Sequence, residues 1–189
     1  MSGSVPPPEG RRSPFLVRLV ATGLYSGYAP WASGTVGSAV GLLLFLIPGA
    51  WELRVLLPLI VAFFFAGVYA SGVVAREEGH RLTKTAAAAK AMFQKGEALH
   101  PDPSIVVIDE IVGMWIALAG IAPGAAAALS AFLLFRAFDI LKPEPAGRLE
   151  RLGGGWGIML DDVVAGIYAN AGTRVILTVI PLLHRGGAS

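Results

Sequence analysis

The sequence predicts an all-α membrane protein: a compact helical bundle of about four or five long apolar helices, with shorter helices at its cytoplasmic side. Three observations predict it. Hydrophobic residues make up 54% of the chain and charged residues 15%, with a mean hydropathy of +0.65, well outside soluble composition. The apolar runs are of helical length, and none alternates with the two-residue period of a strand. At 189 residues, with no internal repeat, one domain is expected.

The elements follow in order. Residues 1–14 are Pro-rich and polar and read as a disordered tail, which leaves 15–184 as a single domain. Arg11 and Arg12 resemble part of a twin-arginine export signal, but the next segment carries Arg18 and is too polar for such a signal, so none is expected. The first apolar run, 36–50, approaches one membrane thickness if Gly34 and Thr35 join it. Residues 55–75 form the clearest spanning candidate. The stretch 76–104 is polar, with an Ala-rich helical centre. Runs 105–122 and 124–140 are two further apolar helices divided by Pro123 and Gly124. Asp102 and Pro103 offer an N-cap and first-turn proline for the earlier one. The last run, 158–183, is interrupted by Asn170 and Arg174.

Composition also excludes. The chain has no cysteine, which removes disulfides, thiolate nucleophiles and cysteine metal sites. A net charge of +2 is no nucleic-acid footprint, and a few basic residues near a bilayer explain it. His80, His100 and His184 have no ligand-like spacing. Trp31, Trp51, Trp115 and Trp156 read as interface anchors or core.

Five carboxylates break the apolar pattern: Asp109 and Glu110 in IVVIDEIVGMW, Asp139 in FLLFRAFDILKP, and Asp161 and Asp162 in GGGWGIMLDDVVAG. An acid in such a setting is costly unless a cation compensates it. Only Arg136 and Lys142 lie close by in sequence, and that imbalance points to a divalent cation such as Mg²⁺. Basic residues cluster before the first run, in 76–95 and in 142–151, so the positive-inside rule puts those segments in the cytoplasm. On that drawing all five acids, with Thr35 and Ser38, fall in one shallow layer at the inner face. A lipid headgroup phosphate would sit at that depth. Carboxylates there would hold Mg²⁺, and Arg136 and Lys142 would hold the remaining phosphate charge. The glycine-rich GTVGS and GGGWG stretches allow close backbone approach to an anion.

Plainer readings compete with each piece. Arg136 and Asp139 are spaced for a structural i,i+3 ion pair. Asp161 and Asp162 would complement a helix N-terminus. GTVGS would serve helix packing. Acids between apolar helices also describe a small ion or proton transporter, for which Asn170 and Arg174 are the best support. A transporter should set its charges near the midplane, whereas these collect at one face.

Four motifs in register carry a resemblance. APWASGTVGS, DPSIVVIDEIVGMW, FRAFDILKP and GGGWGIMLDDVVAG make the chain resemble the phosphatidylglycerophosphatase A family over about residues 28–171. The resemblance implies an all-α, Mg²⁺-dependent lipid phosphatase of the bacterial inner membrane. It would be multi-pass, with its site at the cytoplasmic face, and would convert phosphatidylglycerophosphate to phosphatidylglycerol. Asp109, Glu110, Asp139, Asp161 and Asp162 would surround the metal and carry catalysis, one of them as base or nucleophile. Thr35, Ser38, Arg136 and Lys142 would bind the phosphate. Ser33 stands where the family motif usually has proline, and 76–102 is longer than the family leads one to expect. Other phosphatase chemistries lack their residues: there is no cysteine, no DxDx[TV] and no suitable histidine pair. The CDP-alcohol phosphotransferase signature is absent too.

Overall fold

In a computed structural model, residues 13–23, 25–28, 32–92, 105–149 and 152–186 are described. Trp31, His100, Asp102, Pro103 and nearly all of the 1–14 tail lie outside them, as do the side chains of His80 and His184. The described residues form seven α-helices and no strand: α1 Phe15–Ala21, α2 Ser33–Phe45, α3 Leu53–Met92, α4 Ile108–Leu118, α5 Ala125–Leu141, α6 Ala146–Leu149 and α7 Gly154–Gly186. The all-α expectation holds.

Lengths depart from expectation. α2 has 13 residues and α4 has 11, about 20 and 16 Å, which is short of the ~30 Å apolar layer of a bilayer. Among the described residues one helix is long and apolar enough to cross a membrane, over Leu53–Val74. Of the four or five long apolar helices expected, α3 is the one that meets that measure among the described residues. α3 does not stop there: its backbone stays helical through Met92, so half of the polar stretch extends the preceding helix. α4 begins at Ile108, with Val107 at its N-cap and no side-chain cap, later than Asp102 and Pro103 imply.

α4 is the centre of the bundle. Of its 11 residues, Ile108, Ile111, Val112, Gly113, Met114, Trp115, Ala117 and Leu118 are buried. α2, α3, α5 and α7 pack around it. Trp115 is core rather than anchor: it is 5% exposed, and its indole N–H donates to the Gly41 carbonyl at 2.9 Å, tying α4 to α2. Trp156 is 49% exposed and packs edge-on against Phe64 and Phe65, as an interface anchor would.

α4 and α7 run side by side in one register. Gly166 faces Gly113, so closely that a methyl on Gly166 would lie 2.5 Å from the Gly113 carbonyl oxygen. One turn further on each helix, Asn170 meets Ala117 at the same sequence offset of 53 residues. One turn back, the same register pairs Asp162 with Asp109. Gly166 lacks the Cβ that would hold α7 off α4, Gly113 makes room for the Phe135 ring, and the acids approach as a consequence.

Candidate active site

Asp109 and Glu110 occupy the first turn of α4, and Asp162 lies on α7. One carboxylate oxygen from each falls within 4.8 Å of the others. Asp162 is buried, and Asp109 and Glu110 are partly so. Asp109 Oδ1, Glu110 Oε2 and Asp162 Oδ2 are shielded from solvent and have no hydrogen-bond partner. Three mutually repelling carboxylates with orphaned oxygens are costly unless a cation joins them. Hard oxygen donors in this number fit a divalent cation, and the residues present therefore fit a metal centre.

The other two acids are engaged differently. Asp139, near the end of α5, accepts a hydrogen bond from Arg136 Nη1 one turn earlier. The structural ion pair allowed by their spacing is thus formed, with both side chains mostly buried. Asp139 still lies within electrostatic reach of Glu110 and Asp162. Asp161 accepts from Lys142 Nζ at 3.0 Å through one oxygen, and from the Asp162 backbone N–H at 3.0 Å through the other. The five acids therefore divide into a cluster of three and two that each hold a cation beside it.

Lys142 reaches Asp161 because it ends α5 in the left-handed conformation, with φ 45° and ψ 56°. Glycine usually fills such a position, and a side chain there costs about 1–2 kcal/mol. The chain after it is pinned by the Tyr168 hydroxyl, which donates to the Glu144 carbonyl at 2.9 Å.

The GTVGS stretch closes the site from α2. A methyl on Gly34 would lie 2.6 Å from Glu110 Oε1 and 2.9 Å from Arg136 Nη1, so a larger residue there would displace the ends of both side chains. Ala32, at the N-cap, has φ 50° and leaves the helix start without a side-chain cap. Thr35 is exposed at that start. Ser38 is fully buried and donates to the Gly34 carbonyl at 2.8 Å, so its proton is committed within α2.

Asn170 and Arg174 are not aligned along a path. Both bind the carbonyl end of α4. The best support for transport is thereby accounted for in the packing. Internal packing of these two residues is open from the sequence, but their partners, more than 50 residues away, are not readable there.

Fold and site together define a class: an all-helical protein with a buried carboxylate cluster flanked by two tethered cations, an arrangement suited to a phosphate ester. A family model for phosphatidylglycerophosphatase A matches residues 19–81 and 82–177. A protein of Bacteroides thetaiotaomicron, provisionally named a phosphatidylinositol-3-phosphatase, is 36% identical over 167 residues, covering 84% of this chain and 92% of the relative. Phosphatidylglycerophosphatase A of Haemophilus influenzae is 35% identical over 157 residues, 81% of this chain and 83% of the relative. Its Escherichia coli counterpart is 32% identical over 157 residues, 80% and 77% respectively. No solved structure matches. The chain belongs to the phosphatidylglycerophosphatase A family, and it is a phosphatase.

Proposed function

We propose that the protein is a Mg²⁺-dependent phosphatase of the bacterial inner membrane that hydrolyses phosphatidylglycerophosphate to phosphatidylglycerol and phosphate. The observation that carries the reading is the convergence of Asp109, Glu110 and Asp162 with their oxygens unpartnered. These three residues would hold the cation. Bound there, it would neutralise phosphate oxygens and lower the pKa of a coordinated water.

The chain's own groups supply the rest. Arg136 and Lys142 flank the cluster and would hold the non-bridging phosphate oxygens, each kept in place by its aspartate. The uncapped start of α2 would offer backbone N–H groups and the exposed Thr35 hydroxyl to the same anion. In the reaction a water oxygen bonds to phosphorus as the ester P–O bond breaks. The water gives up a proton to a carboxylate of the cluster, and the departing glycerol oxygen gains one.

Membrane integration rests on the 22-residue apolar span of α3, the apolar surface exposed around the bundle and the segregation of basic segments. Leu57, Val61, Phe65 and Leu133 are among the outward-facing residues that lipid would cover. The site would then open at the cytoplasmic side.

A second lipid phosphomonoester is favoured by one relative, whose name specifies a phosphatidylinositol 3-phosphate. The test is phosphate release by the detergent-purified protein from both lipids, with Mg²⁺ and with EDTA, beside Asp109→Asn. Release from phosphatidylglycerophosphate that requires Mg²⁺ and is lost in the variant is expected. Release from the inositol lipid alone would transfer the site to that substrate. No release from either lipid by folded protein would reject the reading.

A further inference from the structure

The register of α4 on α7 is held at a second place, by two polar residues that the acidic site does not use. α4 ends at Leu118, and the last carbonyls of a helix have no partner inside it. Here one side-chain amide shares its two N–H groups among two of them and the carbonyl of the C-cap residue. Asn170 Nδ2 lies 3.0 Å from the carbonyl oxygens of Ile116, Ala117 and Ala119. Arg174, one turn further along α7, donates from Nη2 to Ala119 O at 2.9 Å and from Nε to Asn170 Oδ1 at 2.8 Å. The second of these bonds occupies the amide oxygen, so the amide nitrogen is turned toward α4.

This bracket sits at one end of an 11-residue rod whose other end carries Asp109 and Glu110. A rod that short slides as a unit. A slip of one residue on α7 would move its acids about 1.5 Å past Asp162. Metal–ligand distances tolerate about 0.2 Å. The Gly113–Gly166 contact sets how close the helices come, but two smooth backbones resist sliding poorly. Directional hydrogen bonds from the two amide N–H groups and from Arg174 resist it better.

We propose that Asn170 and Arg174 are positioning residues for the carboxylate cluster: by clamping the end of α4 they fix the spacing of Asp109 and Glu110 from Asp162. The proposal rests on the reading of those three acids as a divalent-cation site. It differs from simple helix capping in what it predicts, because a cap that only stabilises the fold leaves the cation affinity of the folded protein unchanged.

The experiment is Mn²⁺ binding by the full-length detergent-purified protein, followed by electron paramagnetic resonance. The samples are wild type, Asp162→Asn, Asn170→Ala, Arg174→Ala, Arg174→Gln and Thr178→Ala. Thr178 bonds only carbonyls of its own helix and serves as the control. Wild type and Thr178→Ala should bind alike, and Asp162→Asn should not bind. Asn170→Ala and Arg174→Ala should bind at least about tenfold more weakly with a changed spectrum, the range seen when groups that orient ligands are lost. Arg174→Gln, which keeps an N–H for Ala119, should recover part of the loss. Unchanged affinity and spectrum in the folded Asn170→Ala and Arg174→Ala proteins would overturn the proposal. Should Asn170→Ala not fold, Arg174→Ala decides, since it removes the bond to Ala119 and the one that orients the Asn170 amide. A wild type that binds no Mn²⁺ would instead overturn the cation site, and this proposal with it.

Discussion

Gly113 and Gly166 face each other across α4 and α7 with no side chain between them, and a Cβ on Gly166 would lie 2.5 Å from the Gly113 carbonyl oxygen and 3.0 Å from Ile116 Cβ. Both neighbours belong to the backbone or its first carbon, so neither can swing away. The helices must therefore part if Gly166 gains a methyl, whereas one on Gly113 would first meet the Phe135 ring of α5.

Gly166→Ala sets two effects against each other. Alanine favours the helix by about 1 kcal/mol over glycine. Overpacking at a contact that cannot yield costs about 1–3 kcal/mol. The clash should prevail, lowering the thermal midpoint by about 2–6 °C for a chain of this size. Cation affinity should fall as well, because Asp162 is carried away from Asp109. Thermal unfolding in detergent with and without Mn²⁺ checks both. A midpoint equal to or above that of wild type would show that α7 does not pack this closely.

Asp162→Asn separates function from stability. The side chain is 2% exposed and has an unpartnered oxygen. Replacing it removes one of three mutually repelling charges. In EDTA the variant should therefore unfold at a higher temperature than wild type. On adding Mg²⁺ the order should reverse, since only wild type gains ligand-linked stability, about 2.7 kcal/mol at a hundredfold excess over Kd. Turnover should be lost. A variant that is less stable than wild type in EDTA would make the carboxylate a structural group.

Gly34→Ala tests whether α2 belongs to the site. The added methyl would meet Glu110 Oε1 and the Arg136 guanidinium, both ends of side chains that can give way. Stability should change by less than about 1 kcal/mol, within the range of ordinary substitutions. Activity should fall about 10- to 100-fold, because the two groups that move are proposed to hold cation and phosphate. Phosphate release beside a thermal melt measures both. A large loss of stability with activity per folded molecule intact would reduce GTVGS to a packing motif.

Which parts of this site were legible in sequence follows from how far each signal reaches. The acids, the cations and the glycine stretches stood out because they break an apolar pattern, and the i,i+3 spacing of Arg136 and Asp139 sufficed to anticipate their pair. The approach of GTVGS to an ionic centre was readable from its lack of side chains. The division of the acids was not, because it depends on the 53-residue register of α4 on α7. Helix ends were misjudged for a related reason. Hydropathy reports apolar residues, and the run 105–122 is apolar well beyond α4. The helix ends at Leu118 where Asn170 and Arg174 take its carbonyls. Likewise α3 continues into polar sequence, since alanine-rich segments hold a helix without an apolar face.

Lys142 brings backbone cost and chemistry into one residue. Its φ of 45° is a conformation that glycine adopts freely and lysine does not. A position chosen for stability alone would carry glycine, and the side chain retained there reaches Asp161 at 3.0 Å. Lys142→Gly should relieve the backbone and raise stability by up to about 1 kcal/mol. That gain is opposed by the loss of the ion pair with Asp161. Partly exposed pairs contribute little, at most about 1 kcal/mol, so the net change in stability should be near zero. Activity has no such offset. If Lys142 holds phosphate, kcat/KM should fall at least about 100-fold, the loss of one charged contact worth about 3 kcal/mol in the transition state. Lys142→Arg should recover part of it, since the charge is kept while the geometry of the donor changes. Steady-state kinetics of the three proteins decides the matter: equal kcat/KM for wild type and Lys142→Gly would leave the strained lysine without a catalytic purpose.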